Sequence, residues 1–591
     1  MMKTTTRRPL SIAAAIFLTL QGGLAFAAAS STAPDTTQAR LEASGNEPQN
    51  WITHHGSLSG QRFSTLSQIN KANVKNLKLA FTYAMGGIEG GGIWPHAGLE
   101  GTPIVEDGAM YITDGWGTIY KLDVRGGSAK LVWKMNPKTE HDYPAAVTCC
   151  GVNNRGVALW RDKVISHTLD GRLIITDKKS GEITFQRQVS NVDNAEVITG
   201  APLVVKNLAI TGVAGAEYGI RGWLAATDLS TGKEVWRTYT VAAPNDKHGD
   251  SWADDHNAWK NGGGSTWVTG SFDAKQNLIY WGVGNPGPDW DNEFRPGDNL
   301  YTNSTIALDA DTGEIKWHYQ HTPNDPYDYD SVSENTIVDT IINGKQRKVV
   351  LHANRNGFAY AVDRTNGEFV WGTPFVDRVT WTKGLDPKTG KPLEYRADNK
   401  VQRYAVSSSR AQKEQPVCPG NMGGKNWPPT AYNPTLNLYY IPVIESCNII
   451  ITEETKAGTW KPREFWIGGG LRQHEPIYGS VTAIDATTGK VAAKYPTKYP
   501  MLGGILATKD LVFTARPEGT IVALDAKTLT EVWSYETGSG TNAPPITYSV
   551  NGKQYIAILV GLGGAWPKWF VDGTKGLETL HPSSMLYVFA L

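Results

Sequence analysis

One pattern recurs along the chain: an apolar run followed by A-x-D-x-x-T-G-x-x-x-W. The first copies are KLDVRGGSAKLVW (121–133), ITDKKSGEITFQ (175–186), AATDLSTGKEVW (225–236) and ALDADTGEIKW (307–317). AVDRTNGEFVW (361–371), AIDATTGKVAAKY (483–495) and ALDAKTLTEVW (523–533) follow. Each reads as strand, tight turn, strand. The Asp can accept hydrogen bonds from its own turn, the Gly takes the positive φ, and the Trp packs onto a neighbouring unit. The Asp spacings are 54, 51, 81, 54, 122 and 40 residues, so the insertions are unequal, and the longest gap is expected to hide one weak copy. Units of roughly 40–55 residues with about four strands each predict propeller blades. Seven copies plus a split blade, pairing LYVFAL (586–591) with a strand near LKLAFTY (77–83), make eight. The expected fold is all-β, an eight-bladed β-propeller over residues 49–591, with a solenoid as the alternative. Loops on one face would line a central pocket.

Composition agrees with many short strands: 63 Gly, 32 Pro and 21 Trp in 591 residues. Lys plus Arg equals Asp plus Glu at 57 each, so there is no electrostatic footprint for nucleic acid or an anionic membrane. Lys3, Arg7 and Arg8 precede the apolar run 12–20, and Ala25-Phe26-Ala27 fits a small-residue cleavage site. Residues 1–27 therefore read as an export signal to the periplasm, and 28–48, rich in Ala, Ser and Thr, as a flexible lead. No later segment approaches the roughly 18 apolar residues of a membrane span.

Two of the four cysteines are adjacent, Cys149 and Cys150. Neighbouring cysteines rarely bridge each other, because the small ring constrains the peptide between them. From the residues alone, each pairs elsewhere, both are buried thiols, or they form a flat ring. Export permits disulfides. The absence of C-x-x-C-H excludes a covalently attached haem.

The Trp-bearing repeats, the early WITHHGSLSGQRFSTLSQIN and the vicinal pair together resemble the quinoprotein alcohol dehydrogenases, from about Trp51 to Leu591. The resemblance implies an eight-bladed propeller that binds pyrroloquinoline quinone (PQQ) and oxidises an alcohol. It implies a Cys149–Cys150 disulfide on one face of the quinone, Trp267 in GGGSTWVTG on the other, and a second bridge, Cys418–Cys447. Glu100, Arg155, Thr199, Asn426 and Trp427 match further cofactor contacts, as does Arg355 in LHANRNGFAY. An arginine beside the disulfide suits the quinone's carboxylates.

The same resemblance implies a cation held by Glu217, Asn285 and Asp328, with Asp330 in NDPYDYDSV as an added ligand. Oxygen ligands imply a hard ion rather than zinc. Calcium-dependent members generally carry a small uncharged residue where Asp330 stands; lanthanide-dependent members carry Asp. A third carboxylate better balances a trivalent ion, so a lanthanide is expected and calcium is the alternative. Asp328 is the expected general base and Arg355 its partner at the reducible oxygen. A carboxylate beside a cation and an arginine is expected to have a depressed pKa.

Two positions depart from the family pattern. Ala214 replaces a hydroxyl residue, and Leu502 in YPMLGGILAT replaces an aromatic, which predicts a wider cavity and larger alcohols than methanol. Electrons would pass to an external acceptor such as a cytochrome c. A lone chain and a homodimer both fit the sequence. The competing reading is a non-catalytic envelope propeller scaffold, which has no use for this residue set. His54-His55, an adjacent pair near a strand end, reads as structural.

Overall fold

The structure, a computed structural model, describes residues 35–407, 409–411, 415–565 and 575–591. The expected export signal and residues 28–34 of the expected lead lie outside the described residues. The described chain is all-β. Its only α-helices are the short Gln38–Glu42 and Tyr143–Ala146, and the remaining helical segments are 3-10 turns.

Seven sheets have four strands, one has five, and a small two-stranded ribbon stands apart. All pairings within the sheets are antiparallel, and strands follow one another in chain order within most sheets. One sheet joins the two ends of the described chain. Met585–Ala590 lies between Lys553–Val560 and Lys78–Ala84, with Lys78 opposite Ala590 and Ala84 opposite Met585. This is the expected split unit.

The repeat residues hold neighbouring sheets together. Trp133 Nε1 donates to the carbonyl of Lys178 at 3.0 Å, Trp236 to Ala310 at 3.1 Å, Trp317 to Arg364 at 3.1 Å and Trp371 to Ala486 at 3.2 Å. Each acceptor directly follows the Asp of the next repeat. That Asp caps its own turn, as Asp309 Oδ1 does for the N–H groups of Asp311 and Thr312. The turn glycine answers two demands at once. Gly313 has φ +71°, and a Cβ there would meet Trp236 at 2.5 Å. The indole of one sheet thus lies flat on the turn of the next. Trp533 donates to the carbonyl of Leu77 at 3.1 Å, carrying the contact across the split sheet.

Two expectations change. The 122-residue gap between Asp363 and Asp485 contains no additional sheet among the described residues. Its length goes into loops and two long strands, Leu438–Thr452 and Gly469–Asp485, which pair well beyond the length of an ordinary blade strand. Their extension carries Cys447, bonded to Cys418. The described part of the lead also carries structure: Thr36 bridges Arg161, and Arg40 binds Glu47 and Glu106 at 2.8 and 2.7 Å. The short polar residues that suggested a flexible lead instead meet acceptors on the sheets.

Candidate active site

The expected site residues sit mostly in loops that leave strands. Glu217 lies in a 3-10 turn, Ala216–Tyr218, between Gly215 and Gly219, both at positive φ. A Cβ on Gly215 would meet the carbonyl oxygen of Ala195 at 2.2 Å, so only glycine lets the turn approach. Asn285 follows the strand Leu278–Gly282 and Arg355 follows Lys345–Ala353.

Asp328 adopts φ +63°, a left-handed conformation uncommon for a non-glycine residue. Its neighbours impose it. Asp325 accepts the N–H of Tyr327 at 2.9 Å and of Tyr329 at 2.7 Å, and both tyrosines are wholly buried against Trp381. Their hydroxyls donate to the carbonyls of Val406 and Pro419. The D-P-Y-D-Y-D stretch is therefore clamped at two rings, which leaves Asp328 turned the other way.

A cavity of about 710 Å³ is lined by Glu100, Cys149, Cys150, Arg155, Thr199, Glu217, Trp267, Asp328, Arg355, Asn426 and Trp427, among others. Cys149 and Cys150 form a disulfide, with their Cα atoms 3.8 Å apart. Arg155 spans the polar end. It pairs with Glu100 at 2.7 Å, donates to Thr199 Oγ1 at 2.7 Å and lies 4.7 Å from the Trp267 ring and 5.0 Å from that of Trp427. Ala214, the expected departure, also lines this space.

Next to it stands an acidic cluster. Arg355 Nη1 reaches Asp328 Oδ1 at 3.4 Å, and Arg355 Nη2 reaches Asp330 Oδ2 at 2.8 Å. Asp330 also accepts from the Asn285 backbone N–H at 2.8 Å and from Trp267 Nε1 at 3.2 Å. A Cβ on Gly284 would meet Asp330 Oδ1 at 2.3 Å, so this close approach also depends on glycine. Asp330 and Asn285 are buried behind the cavity wall and are not among its lining residues.

The depressed pKa expected for Asp328 presumes a neighbouring cation; the protein's own groups act in the opposite direction. Burial pushes its pKa well above the carboxylate range; Arg355 opposes this, while Asp289, Asp330 and Glu217 reinforce it. Glu217 is pushed up to about 7 by burial and by the charge of Asp330. Removing a carboxylate from water outweighs one arginine when three other acids stand nearby. Positive charge brought to this cluster would favour the ionised form of Asp328.

The residues fit both a cation and a polar ligand. Asn285 Oδ1 is buried without a partner, and Asn153 Oδ1, Arg155 Nε and Arg355 Nε are likewise unpartnered. Buried polar atoms are ordinarily satisfied, so a cluster of exceptions around one cavity marks a binding site. Four acids against one arginine supply the charge a hard cation requires. The Cys149 and Cys150 sulfurs lie within 4.8 Å of a Glu217 oxygen, but disulfide sulfurs are not thiolate ligands, so the donors available to a cation are oxygens.

A second cavity, about 1030 Å³, shares Cys149, Cys150, Glu217 and Asp328 with the first. Its outer walls are Ile93, Trp94, Trp290, Phe465, Ile467 and Leu471. The 453–468 segment supplies part of this wall and is tied to the site. The Trp466 N–H donates to the Glu217 carbonyl at 2.6 Å, Trp460 Nε1 to that of Tyr218 at 2.8 Å, and the Trp290 N–H to that of Ile467 at 2.9 Å.

Leu502 does not widen either cavity. It is completely buried in an apolar cluster with Met422, Trp427, Tyr499 and Leu562, and is absent from both linings. Sequence reasoning missed the second cavity because its walls come from segments remote in the chain. Asp289 and Asn153 were also missed. Four-residue spacing from Asn285 was the only signal for Asp289. His55 is buried and His54 half-buried, and desolvation holds both neutral, consistent with a structural role. Among the described residues, no helix is long and apolar enough to cross a membrane.

Residues 51–378 and 394–556 match the family described as PQQ: Glucose/ethanol/alcohol dehydrogenase, beta-propeller domain. The chain is 35% identical to the quinoprotein alcohol dehydrogenase PedH of Pseudomonas putida, covering 100% of this chain and 98% of that protein. Among solved structures, the quinohemoprotein alcohol dehydrogenase ADHIIG of Pseudomonas putida HK5 superposes with a TM-score of 0.85 at 34% identity, covering 95% of this chain and 83% of the other. A europium-containing methanol dehydrogenase superposes with a TM-score of 0.83 at 30% identity, covering 94% of this chain and 100% of the other. With this match and the cavity above, the chain belongs to the PQQ-dependent alcohol dehydrogenase β-propeller family, and it is an enzyme rather than a binding scaffold.

Proposed function

We propose that this protein oxidises an alcohol to an aldehyde or ketone with PQQ and one metal ion, on an eight-bladed ring, and passes electrons to an external acceptor such as a cytochrome c. One observation carries the reading: the vicinal disulfide, Trp267, Glu217, Asp328 and Arg355 line one cavity, with the unpartnered Asn285 Oδ1 buried beside it.

Cys149–Cys150 and Trp267 are assigned as the flat partners of the quinone, and Glu100, Arg155, Thr199, Asn426 and Trp427 as its rim. Glu217, Asn285, Asp328 and Asp330 are assigned to the cation. When bound, the quinone supplies the hydride-accepting carbon and the cation supplies Lewis acidity. Asp328 takes the alcohol proton, held by Arg355 from one side and by its left-handed backbone from the other. Burial keeps water away from the carboxylate and strengthens each charge interaction within the cavity.

A lanthanide is favoured over calcium because four acids surround a site with one arginine, and a europium-containing enzyme shares the fold. Asp330 already accepts three donors, yet a carboxylate offers about four lone-pair positions, which leaves one for a metal. The second cavity, walled by aromatic and aliphatic side chains, supports alcohols larger than methanol. The basic and apolar N-terminal stretch supports a periplasmic location. The test is alcohol-dependent dye reduction after reconstitution with PQQ and either lanthanum or calcium. Activity that needs both PQQ and metal, and is lost on chelation, is expected. Turnover without PQQ sinks the reading.

A further inference from the structure

In the reading above, Asp289, four residues after Asn285 in NPGPDW, counts only as one of four clustered acids. Both side chains are buried, at 1% and 0% exposure. Asn285 Nδ2 donates to Asp289 Oδ1 at 2.8 Å and to the carbonyl of Pro286 at 3.3 Å. An amide whose nitrogen is committed to acceptors on one side presents its oxygen to the other. That oxygen, Asn285 Oδ1, is the buried atom without a partner. The loop is itself held firmly: the buried Arg295 donates to the carbonyls of Pro288 and Asp289, each at 2.9 Å. No lysine or arginine forms an ion pair with the Asp289 carboxylate among the described residues, and it lines the larger cavity beside Glu217 and Asp328.

We propose that Asp289 is a positioning residue: it holds the Asn285 amide with its oxygen towards the cation. The proposal rests on the metal site assigned above. Partners behind metal ligands typically change metal affinity by roughly 10–100-fold.

Two variants test this. Asp289→Asn keeps an acceptor for Asn285 Nδ2, and Asp289→Ala loses it. Full-length protein, stripped of metal and loaded with PQQ, is titrated calorimetrically with europium chloride or calcium chloride. Asp289→Ala should weaken binding of both ions by roughly 10–100-fold, and the luminescence lifetime of its bound europium should shorten as water replaces the freed amide. Asp289→Asn should stay closer to the parent for both ions. Wild-type affinity for both ions in Asp289→Ala, or an equal loss in Asp289→Asn and Asp289→Ala, overturns the proposal. If the parent protein binds neither ion, the metal assignment itself fails, and this inference fails with it. If the parent binds and the variants match it, only the role of Asp289 is lost.

Discussion

Asp328 and Asp330 are two residues apart and face different partners, so their variants should separate. Asp328→Ala removes the proposed base and should abolish turnover with either ion while PQQ still binds, which absorbance of the washed protein would report. Asp330→Ala removes one charge and one oxygen, and should stop lanthanum-supported activity more completely than calcium-supported activity. It also strands Arg355, Trp267 Nε1 and the Asn285 N–H, all of which it accepts. Asp330→Asn keeps an acceptor for them, so it isolates the charge. Wild-type lanthanum activity in Asp330→Asn would return calcium as the better assignment. Cys149→Ser should leave the unfolding midpoint nearly unchanged yet impair alcohol-dependent dye reduction, since the bridge closes only a two-residue ring and constrains little chain entropy. Of these roles the residue types were legible in sequence, because carboxylates, an amide and an arginine in strand-end loops suit a hard cation. The balance of charge was not, since it depends on acids that only burial brings together.

At the scale of the element, the repeat turn is the unit of stability. Gly313→Ala places a methyl group against Trp236 at a positive φ, and should cost about 1–3 kcal/mol in urea unfolding without changing kcat. Gly344→Ala is the control: its φ is +74° and nothing lies within 4 Å of the added carbon, so it should cost less. Equal losses would mean the indole contact contributes nothing. The 453–468 segment is a different kind of element, tied by backbone hydrogen bonds to Glu217 and Trp290. Phe465→Ala, half exposed at the cavity rim, should raise KM for an aryl alcohol by about 3–10-fold and barely alter it for ethanol, as one lost aromatic contact would. A uniform change across alcohol sizes would place the specificity elsewhere.

Across the whole molecule, buried neutral histidines make stability depend on pH. His167 bridges two sheets, its Nδ1 3.1 Å from the Gly200 carbonyl and its Nε2 2.9 Å from Thr211 Oγ1. Burial lowers its pKa to about 4. The unfolded chain, with histidine near 6.5, binds the proton first, so stability is full above pH 6.5 and falls as pH drops towards 4. His167→Gln removes this proton uptake. Between pH 7 and 5 the parent should lose more melting temperature than the variant, whatever the two start from. Parallel melting profiles would mean that His167 takes up no extra proton on unfolding.

The sequence by itself determined the strand–turn–strand unit, its count of visible copies and the joining of the chain ends, because each rests on local rules: an Asp that caps its turn, a Gly at positive φ, a Trp with a free face. Most of the residues that line the first cavity were named through the family resemblance carried by the repeats and the vicinal cysteines. Only the tertiary structure decided where the long insertion went, that Leu502 sits in an apolar cluster rather than at the cavity wall, and that Phe465 and Ile467 of the 453–468 segment wall part of a second cavity. It also placed Asp289 behind Asn285 and gathered three further acids around Asp328. Those outcomes depend on burial and on charges from segments far apart in the chain, and a linear pattern records neither.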